Sequence, residues 1–439
     1  MEPYIEYKDS CIDWIGKIPK QWDITRIKNL IHSHQGGAWG NEAADDENDR
    51  ICIRVADFDF QRLTLDSDDY TVRNYTPDQI KKLSLSAGDI LIEKSGGGEA
   101  SPVGRAVIFN KDFPALFANF IEVIRPAERV DRQFLAYVFA SAYHNGVNRK
   151  YYNQTTGIQN LAVSRYICES IMCPKTQVQT SIADYLDCRT TEIDTLLANL
   201  QSQAEMLDTY KRELIAKMVT KGLDITIPTK ESNVDWIGNV PVHWEVTKTK
   251  WMFEIVKRIY GKEDRDVLSI TQRGIKVRDI ESNDGQLAES YANYQVVNVN
   301  DFAMNSMDLL TGWVDCSPFE GVTSPDYRVF RFLHGKIQCH NYYKYLFQMC
   351  YKNRIFYRLG QGVSNLGRWR LQADQFLNMK LPQPPVEEQE RIAAYLDEKT
   401  AKIEILITDI NSQIDKLKQY RQIVIHDAVT GKIKVAEEE

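Results

Sequence analysis

The sequence lacks the motifs that mark the common enzymes acting on nucleotides or DNA. It has no G-x-x-x-x-G-K-[ST] segment, which excludes the usual phosphate cradle for nucleotide hydrolysis. It also has no Asn-Pro-Pro-aromatic segment, the usual mark of an adenine methyltransferase. Residues 96–105 lack the Lys-Ser/Thr ending of a phosphate loop, and residues 359–362 lack the third glycine of a dinucleotide turn. Because no set of nucleophile, base and orienting residue can be nominated, we expect no catalytic residue here.

Paired cysteines and long apolar runs are missing as well. The eight cysteines include no C-x-x-C pair, no apolar run reaches 18 residues, and residues 1–10 lack the pattern of a signal peptide. His32 and His34 lie two residues apart without further ligands nearby, which makes a poor metal site. We therefore expect free thiols, no metal and a cytoplasmic location. The net charge of −7 argues against a wholly basic nucleic-acid coat but allows a local basic groove.

What the sequence does contain is an internal duplication. D-W-I-G-K-I-P-K-Q-W at residues 13–22 returns as D-W-I-G-N-V-P-V-H-W at residues 235–244. Later, T-G-I-Q-N-L at residues 156–161 returns as Q-G-V-S-N-L at residues 361–366. Matches in the same order predict one structural unit used twice.

A third match follows, and the segments between the matches differ much more. Residues 174–187 return at residues 384–397, where both end in Y-L-D. The first copy carries a Gly-rich stretch at residues 94–105, whereas the second has N-S-M-D-L-L-T-G-W-V-D at residues 305–315. The shared ends are therefore expected to serve one common purpose and the divergent bodies two different ones.

A heptad pattern begins after Pro174 and again after Pro385, with apolar residues at alternating steps of four and three. Arg189 with Gln203, and Lys399 with Gln413, would be polar members of the seam that fix its register. The predicted interface residues are Ile182, Leu186, Ile193, Leu196, Leu200, Leu207, Tyr210 and Leu214 in the first helix and Ile392, Leu396, Ile403, Leu406, Ile410, Leu417, Tyr420 and Val424 in the second.

Each run of about 40 residues corresponds to a helix of roughly 60 Å. One interpretation makes the two helices core members of a bundle. The regularity of the seam favours the other, an antiparallel pair that acts as a spacer with the two bodies at its opposite ends. The helices are expected to end near T-K-G (220–222) and T-G-K (430–432), where glycine suits the left-handed cap.

The bodies combine strand patterns, such as residues 89–94 and 122–126, with two stretches that contain no Asp or Glu, residues 132–168 and 327–373. Cations release counterions from phosphates, and Arg, Asn and Gln can read base edges. We expect two polyanion-facing surfaces; the alternative is that the aromatic residues form core and the cations a solvated face. The aromatic residues in question are Tyr143, Tyr151, Tyr152, Tyr342, Tyr343, Tyr345, Tyr351, Tyr357 and Trp369, and the cations include Arg132, Arg165, Arg328, Arg331, Lys336, Lys344, Lys352 and Arg370.

These residues resemble the DNA-specificity subunit of type I restriction–modification systems. Besides the repeated D-W-I-G and G-x-x-N-L motifs, the chain has I-R-V-A-D-F at residues 53–58 and S-P-D-Y-R-V-F-R at residues 324–331. The most specific motif is P-P-V-E-E-Q-E-R-I-A-A-Y-L-D at residues 384–397. The first copy departs from it at residues 176–179, although Gln179 still aligns with Gln389.

The resemblance implies an α+β fold with two similar globular target-recognition domains in a pseudo-twofold arrangement, separated by a long antiparallel two-helix coiled coil. Each domain would read one half of a bipartite site in double-stranded DNA. The paired helices would set the spacer and dock two methylation subunits. Those subunits would supply S-adenosylmethionine, and restriction subunits would add ATP- and magnesium-dependent translocation and cleavage, so this chain would hold no cofactor.

Candidate DNA contacts come from the acid-free stretches and from the loops near residues 36–41, 96–105 and 272–278. They are Trp39, Asn41, Arg54, Lys94, Arg105, Arg149, Lys150, Tyr152, Gln154, Thr155, Arg273, Lys276, Arg278, Arg354, Arg358, Gln361, Ser364 and Arg368. The expected boundaries are residues 1–174 and 224–384 for the domains, 175–223 and 385–432 for the central and distal helices, and 433–439 for a tail.

Two other functions fit parts of the sequence. A coiled-coil scaffold joining two protein partners would explain the helices and the repeat but not the matched acid-free stretches. A stand-alone enzyme fits least, because no catalytic motif is present.

Overall fold

The computed structural model describes residues 4–155, 157–279, 290–361 and 369–435. Contacts divide the chain into a first unit, Met1–Leu200 with Ser412–Glu439, and a second unit, Gln201–Asn411. Among the described residues, no helix is both long and apolar enough to cross a membrane. The α-helices are α1 (Pro77–Leu83), α2 (Arg132–His144), α3 (Val163–Tyr166), α4 (Thr176–Lys221), α5 (His340–Lys352), α6 (Ile355–Leu359), α7 (Ala373–Asn378) and α8 (Val386–Val429).

The two long helices, α4 and α8, begin just after proline and end just before glycine, as the sequence predicts. Pro174 precedes α4, and Gly222 follows it at a φ of 78°. Gly431 closes the end of α8 at a φ of 71°. A residue with a side chain is strained at such angles, so glycine sets where each helix stops.

In the first unit, two four-stranded sheets form the body. One has the strand order 106–108, 90–93, 121–126, 31–36 with antiparallel neighbours, and it includes both strands predicted from the sequence. The unit's strands are Tyr7–Asp9, Lys17–Pro19, Asp23–Arg26, Ile31–Gly36, Asn41–Glu42, Asp49–Ile53, Phe58–Asp59, Thr64–Leu65, Val72–Asn74, Ile90–Glu93, Ser95–Gly96, Ala106–Ile108, Ala115–Phe117, Ile121–Pro126, Tyr152–Thr155, Ile158–Leu161 and Ser170–Cys173, with 3-10 turns at Ile27–Asn29, Val55–Asp57 and Val147–Lys150.

The second unit is built around one four-stranded antiparallel sheet in the order 253–256, 328–332, 302–304, 314–316. Phe302 and Phe330, from neighbouring strands of this sheet, stack with ring centroids 5.2 Å apart inside an aromatic core. The unit's strands are Thr229–Glu231, Asn239–Pro241, Glu245–Lys248, Phe253–Val256, Leu268–Thr271, Gly274–Val277, Gln295–Val297, Phe302–Met304, Val314–Cys316, Gly321–Thr323, Arg328–Phe332 and Lys380–Gln383, with a 3-10 turn at Thr249–Trp251.

Each unit takes one half of each long helix into its core. Ile182 and Leu186 near the start of α4 join a core that contains Ile425 near the end of α8. In the second unit, Leu214 near the end of α4 shares a core with Ile392 near the start of α8. Because the early part of one helix accompanies the late part of the other in both units, α4 and α8 run antiparallel. The predicted α+β fold with two similar bodies and long antiparallel helices is confirmed.

Candidate nucleic-acid interface

A three-stranded antiparallel sheet in the first unit brings together two segments that are far apart in the sequence. Ser95–Gly96 pairs with Ile158–Leu161, which pairs with Tyr152–Thr155. Gln159, 1% exposed, accepts a hydrogen bond from the Val103 backbone N–H over 3.2 Å. The Gly-rich loop and the strand that carries Tyr152, Gln154 and Thr155 therefore form one surface, although the side chains of Gln154 and Thr155 lie outside the described part of the chain.

The two candidate cations beside this sheet are held by carboxylates. Lys94 Nζ lies 3.1 Å from Glu122 Oε2, and His34 Nδ1 lies 2.7 Å from Glu122 Oε1. Arg105 reaches both oxygens of Glu93, at 2.8 and 3.0 Å. Its guanidinium also stacks on Phe60, 3.8 Å from the ring centroid. The guanidinium of Arg105 is thus oriented before any ligand binds, but its charge is already neutralised by Glu93.

Three other candidates in the first unit differ in what they can offer a ligand. Arg54 pairs with Asp57 at 3.0 Å, and its backbone N–H donates to Asp57 at 2.7 Å, so the two residues hold a 3-10 turn together, which is a structural task. Trp39 is 42% exposed and lies under the guanidinium of Arg73, 4.8 Å from its ring centroid. Asn41 is exposed on an edge strand beside residues 72–74. Sequence reasoning missed Arg73, which donates to the backbone oxygens of both Trp39 and Gly40 at 3.3 Å.

Arg149 and Lys150 are exposed on the 3-10 turn that follows α2. Lys150 Nζ lies 3.8 Å from Glu169 Oε1. Arg149 has no ion-pair partner within the described ranges. Arg149 is thus the candidate cation of this turn whose charge is open to an anionic partner.

In the second unit, a hairpin of Leu268–Thr271 and Gly274–Val277 carries Arg273 at its turn. Arg273 and Lys276 are exposed, and Arg278 is half-buried. The turn lines a cleft of about 580 Å³, whose opposite wall is α5 with Lys344 and Lys352. Neither lysine was among the candidate contacts, although both fall in the second acid-free stretch.

The remaining candidates lie around α6. Arg354 is exposed at a φ of 55° just before the helix, and Arg358 is exposed on it. Gln361 is exposed and forms a β-bridge with Arg370. Ser364 and Arg368 lie outside the described residues. Arg354, Arg358 and Gln361 thus remain candidates for DNA contact.

For the aromatic residues of α5, the alternative is correct and they form core. Tyr342 and Tyr343 are fully buried, and Tyr345 and Tyr351 are 8% and 5% exposed. Arg328 is also interior; it donates to the Leu371 backbone oxygen over 2.8 Å, and burial lowers its pKa to about 10. Local composition does not reveal which face of a helix or strand points inward, so core and surface residues were grouped together.

Matching hydrogen bonds attach the core helix of each body to a long helix. Tyr137 of α2 donates to Asp187 over 2.7 Å, and Tyr345 of α5 donates to Asp397 over the same distance. Gln179 accepts from the Asp131 N–H at 3.0 Å and donates to the Pro174 oxygen at 2.8 Å. Gln389 makes the same two bonds, with Cys339 and Pro384, over the same two distances. A buried amide satisfied at both ends fixes the geometry of its neighbours.

The predicted seam is wrong at four positions. Leu196 and Leu406 are 51% and 50% exposed, and Tyr210 and Tyr420 are 52% and 44% exposed. The neighbour of Leu196, Leu197, is 2% exposed. Because apolar residues adjoin each other at 196–197 and 406–407, the sequence supports two heptad frames. Of the other predicted positions, Ile182, Leu186, Ile193, Leu214, Ile392, Leu396, Ile403, Ile410 and Val424 are buried, and Leu200, Leu207 and Leu417 are partly buried.

Three of the four polar seam residues are also misassigned. Gln203 and Gln413 are exposed, and Arg189 pairs with Glu192 of its own helix at 2.5 Å. Lys399 lies over Tyr395, 5.5 Å from the ring centroid, on its own helix as well. Gln203, Gln413 and Lys399 therefore do not fix the register, whereas Arg189 also forms a side-chain hydrogen bond with Tyr420 of α8.

The ion pairs that do join α4 to α8 are Asp194–Arg421, at 3.2 Å, and Lys211–Glu404, at 3.7 Å. With the repeat offset of 210 residues, Lys211 in the first copy corresponds to Arg421 in the second, and Asp194 corresponds to Glu404. The two copies thus make the same contact, in the first and second units respectively. These charged residues could not be assigned to the seam from the sequence, because two heptad frames were possible.

In the part of the chain that the structure describes, no group of three His, Cys, Asp or Glu side chains could hold a metal ion. All eight cysteines are free thiols.

Comparison with known proteins agrees with this architecture. A family model described as “Type I restriction modification DNA specificity domain” matches residues 19–206 and 241–416. A Methanocaldococcus jannaschii protein described as the MjaX specificity subunit of a type I restriction enzyme is 24% identical over 442 residues, covering 96% of each chain. The StySPI specificity subunit of Salmonella potsdam is 23% identical over 226 residues, 50% of this chain and 47% of that protein.

The fold is also found among solved structures. A chain from a study of the complex assembly and conformational transition of the type I R-M system has a TM-score of 0.69 at 12% sequence identity. The similarity covers 95% of this chain and 99% of that chain. At this level of identity, the likeness concerns the fold.

Proposed function

The chain belongs to the type I restriction–modification DNA specificity family, and from that premise we propose how its parts divide the work. It is a DNA-specificity subunit that performs no chemistry of its own. Each body reads one half of a bipartite site in double-stranded DNA, and the long helices set the gap between the halves. Methylation subunits supply S-adenosylmethionine, restriction subunits supply ATP- and magnesium-dependent cleavage, and the complex works in the cytoplasm.

The observation that carries this proposal is the contrast within each unit. The groups that attach a body to its helix are matched, as Tyr137–Asp187 and Tyr345–Asp397 show. The sheets and surface loops of the bodies differ between the units. A matched attachment with unlike bodies is what a reader of two different half-sites requires, since base contacts specify the sequence and the frame only positions them.

Docking of two methylation subunits is supported by apolar side chains at matched positions on the long helices. Leu196 and Leu406 are half exposed, as are Tyr210 and Tyr420, and the members of each pair are 210 residues apart. Two copies of one partner need two equivalent surfaces, and a duplicated helix supplies them. The aromatic and leucine side chains would be the contacts of these surfaces.

The proposal is tested by inserting four helix-forming residues between Asn199 and Leu200 of α4. Four residues lengthen a helix by about 6 Å, so the gap in the methylated site should grow by about two base pairs. Sequencing of methylated adenines in cells that express the complete system gives the gap directly.

The matched control inserts the same four residues in the loop at Asp112, which is exposed, and should leave the gap unchanged. A gap that stays the same in the helix variant contradicts the spacer. Absence of DNA binding by the wild-type complex would instead favour the scaffold alternative.

A further inference from the structure

The cleft of the second unit, between the 268–277 hairpin and α5, has an acidic floor. Asp315 Oδ1 accepts hydrogen bonds from the Cys316 N–H at 2.9 Å and from Gln348 Nε2 at 3.2 Å. The hairpin comes close on the other side, because a Cβ on Gly274 would lie 3.0 Å from Asp315 Oδ2. Burial raises the pKa of Asp315, whereas the hydrogen bond from Cys316 and the nearby charge of Lys344 act in the opposite direction and favour its ionised form. A phosphate would be repelled from the bottom of this cleft.

The rim of the same cleft is cationic. Its other acids are engaged: Asp208 and Glu404 approach Lys211 at 3.2 and 3.7 Å, and Asp397 accepts from Tyr345. By contrast, the rim residues Arg273, Lys344 and Lys352 form no ion pair within the described ranges. Lys344 and Lys352 instead lie over the rings of Tyr345 and Trp313, 5.2 and 5.5 Å from their centroids.

The equivalent cleft of the first unit has the same frame without these charges. It measures about 600 Å³ and is lined by Tyr137, Asp187 and Thr190, the counterparts of Tyr345, Asp397 and Thr400. Its cations, Arg62 and Arg421, are paired with Asp59 at 3.8 Å and with Asp194 at 3.2 Å. At the α2 positions that match Lys344 and Lys352 stand Ala136 and His144. Lys344 and Lys352 are therefore specific to the second unit, and the cations of the first-unit cleft are both paired.

We propose that Arg273, Lys344 and Lys352 form a DNA-backbone site through which the second unit holds phosphates of its half-site. The inference rests on the proposed function. Lys344 and Lys352 are eight residues apart on α5, about 12 Å along the helix, so one phosphate cannot bridge them but successive phosphates of a strand can contact both. With a repulsive floor and a cationic rim, the strand lies across the cleft rather than entering it.

The test measures binding of a duplex carrying the target site to the complex of this chain with its methylation subunits, over a range of salt concentrations. Each phosphate contact adds about 0.9 to the slope of log affinity against log salt. The triple variant Arg273→Gln, Lys344→Gln, Lys352→Gln should lower the slope by about 2.7. The charge-preserving variant Lys344→Arg, Lys352→Arg should retain the wild-type slope.

The matched control is Arg62→Gln on the rim of the first-unit cleft, for which no change of slope is expected. An unchanged slope in the triple variant, with wild-type melting and assembly, overturns the inference while leaving the proposed function intact. If the triple variant keeps its slope but no longer assembles with the methylation subunits, the cleft faces protein and the inference is equally wrong. A wild-type complex that fails to bind DNA would refute the proposed function itself.

Discussion

The first and second units treat their helices alike and their surfaces differently. In both, a tyrosine of the core helix donates to an aspartate of the long helix, and a buried glutamine ties the start of the long helix to the start of the core helix. Their clefts are of similar size, yet one rim is compensated and the other is open to an anion. Duplicated parts that must stay in register have kept their contacts, whereas parts that face a ligand have diverged.

The largest expected difference concerns the two equivalent ion pairs. Arg421 is 7% exposed beside Asp194, so Arg421→Ala would leave a carboxylate largely buried without its cation. We expect a loss of about 3–5 kcal/mol in the stability of the first unit. Lys211→Ala should cost the second unit less than about 1 kcal/mol, because the side chain of its partner Glu404 is 68% exposed.

Hydrogen exchange followed by mass spectrometry reads the two units separately in the intact chain. The double variant Asp194→Asn, Arg421→Gln is the control and should recover part of the lost stability, because no charge is left unpaired. Equal losses from Arg421→Ala and Lys211→Ala would show that burial does not distinguish the two pairs.

A smaller loss of stability, equal in the two units, is expected from removing the matched tyrosine hydroxyls. Tyr137→Phe and Tyr345→Phe each remove a hydroxyl that donates to a carboxylate over 2.7 Å. Hydrogen bonds to charged groups contribute about 1.5–3 kcal/mol, so each unit should lose a similar amount. Urea unfolding of both variants measures the change, with Tyr357→Phe on α6 as a control outside these contacts. A loss of stability in one unit alone would show that the two tyrosine–aspartate hydrogen bonds are not equivalent.

The smallest effect concerns pH and the first unit alone. His426 contacts Ser141 at 3.1 Å and Lys432 at 2.7 Å, and burial together with Lys432 lowers its pKa from 6.5, against a weaker opposing effect of Asp427. The folded chain then holds this proton less tightly than the unfolded chain. His426 therefore contributes stability that is present above about pH 6.5 and is lost as the pH falls below that value.

His426→Gln should make the stability of the first unit less dependent on pH, measured by urea unfolding at about pH 5.5 and about pH 7.5. His144 remains, and burial and the charge of Arg421 lower its pKa too, so some dependence should persist. The second unit has Ala216 at the matching position, so its own pH dependence, to which the half-buried His340 contributes, should not change and serves as the internal control. An unaltered pH dependence in the variant would rule out His426 as its source.

The architecture was predictable because it depends on patterns within short segments. The repeated D-W-I-G motif marked the duplication, the heptads marked the long helices, and Gly222 and Gly431 marked their ends. The seam was not predictable at every position, since Leu196 and Leu197 are equally apolar and only the body that packs on the helix selects between them.

The candidate interface was less predictable because pairing between distant residues decides which charges are available. Nothing in the segment around Lys94 indicates that Glu122 compensates it, and nothing around Arg105 points to the ring of Phe60. The opposite error affected Lys344 and Lys352, which reach the surface from a helix whose aromatic residues are buried. Composition identified the stretch at residues 327–373, but only the fold shows which side chains of α5 are buried and which are exposed.

The division of α8 between the units also bears on the order in which the chain can fold. The core of the first unit includes Val424, Ile425 and Val429, which are synthesised after the whole second unit. The whole second unit, Gln201–Asn411, must leave the ribosome before they are available. At about 5–20 residues per second this is a delay of roughly 10 to 40 s, during which the first unit keeps part of its core open to water. Although it is made first, the N-terminal body is therefore completed last.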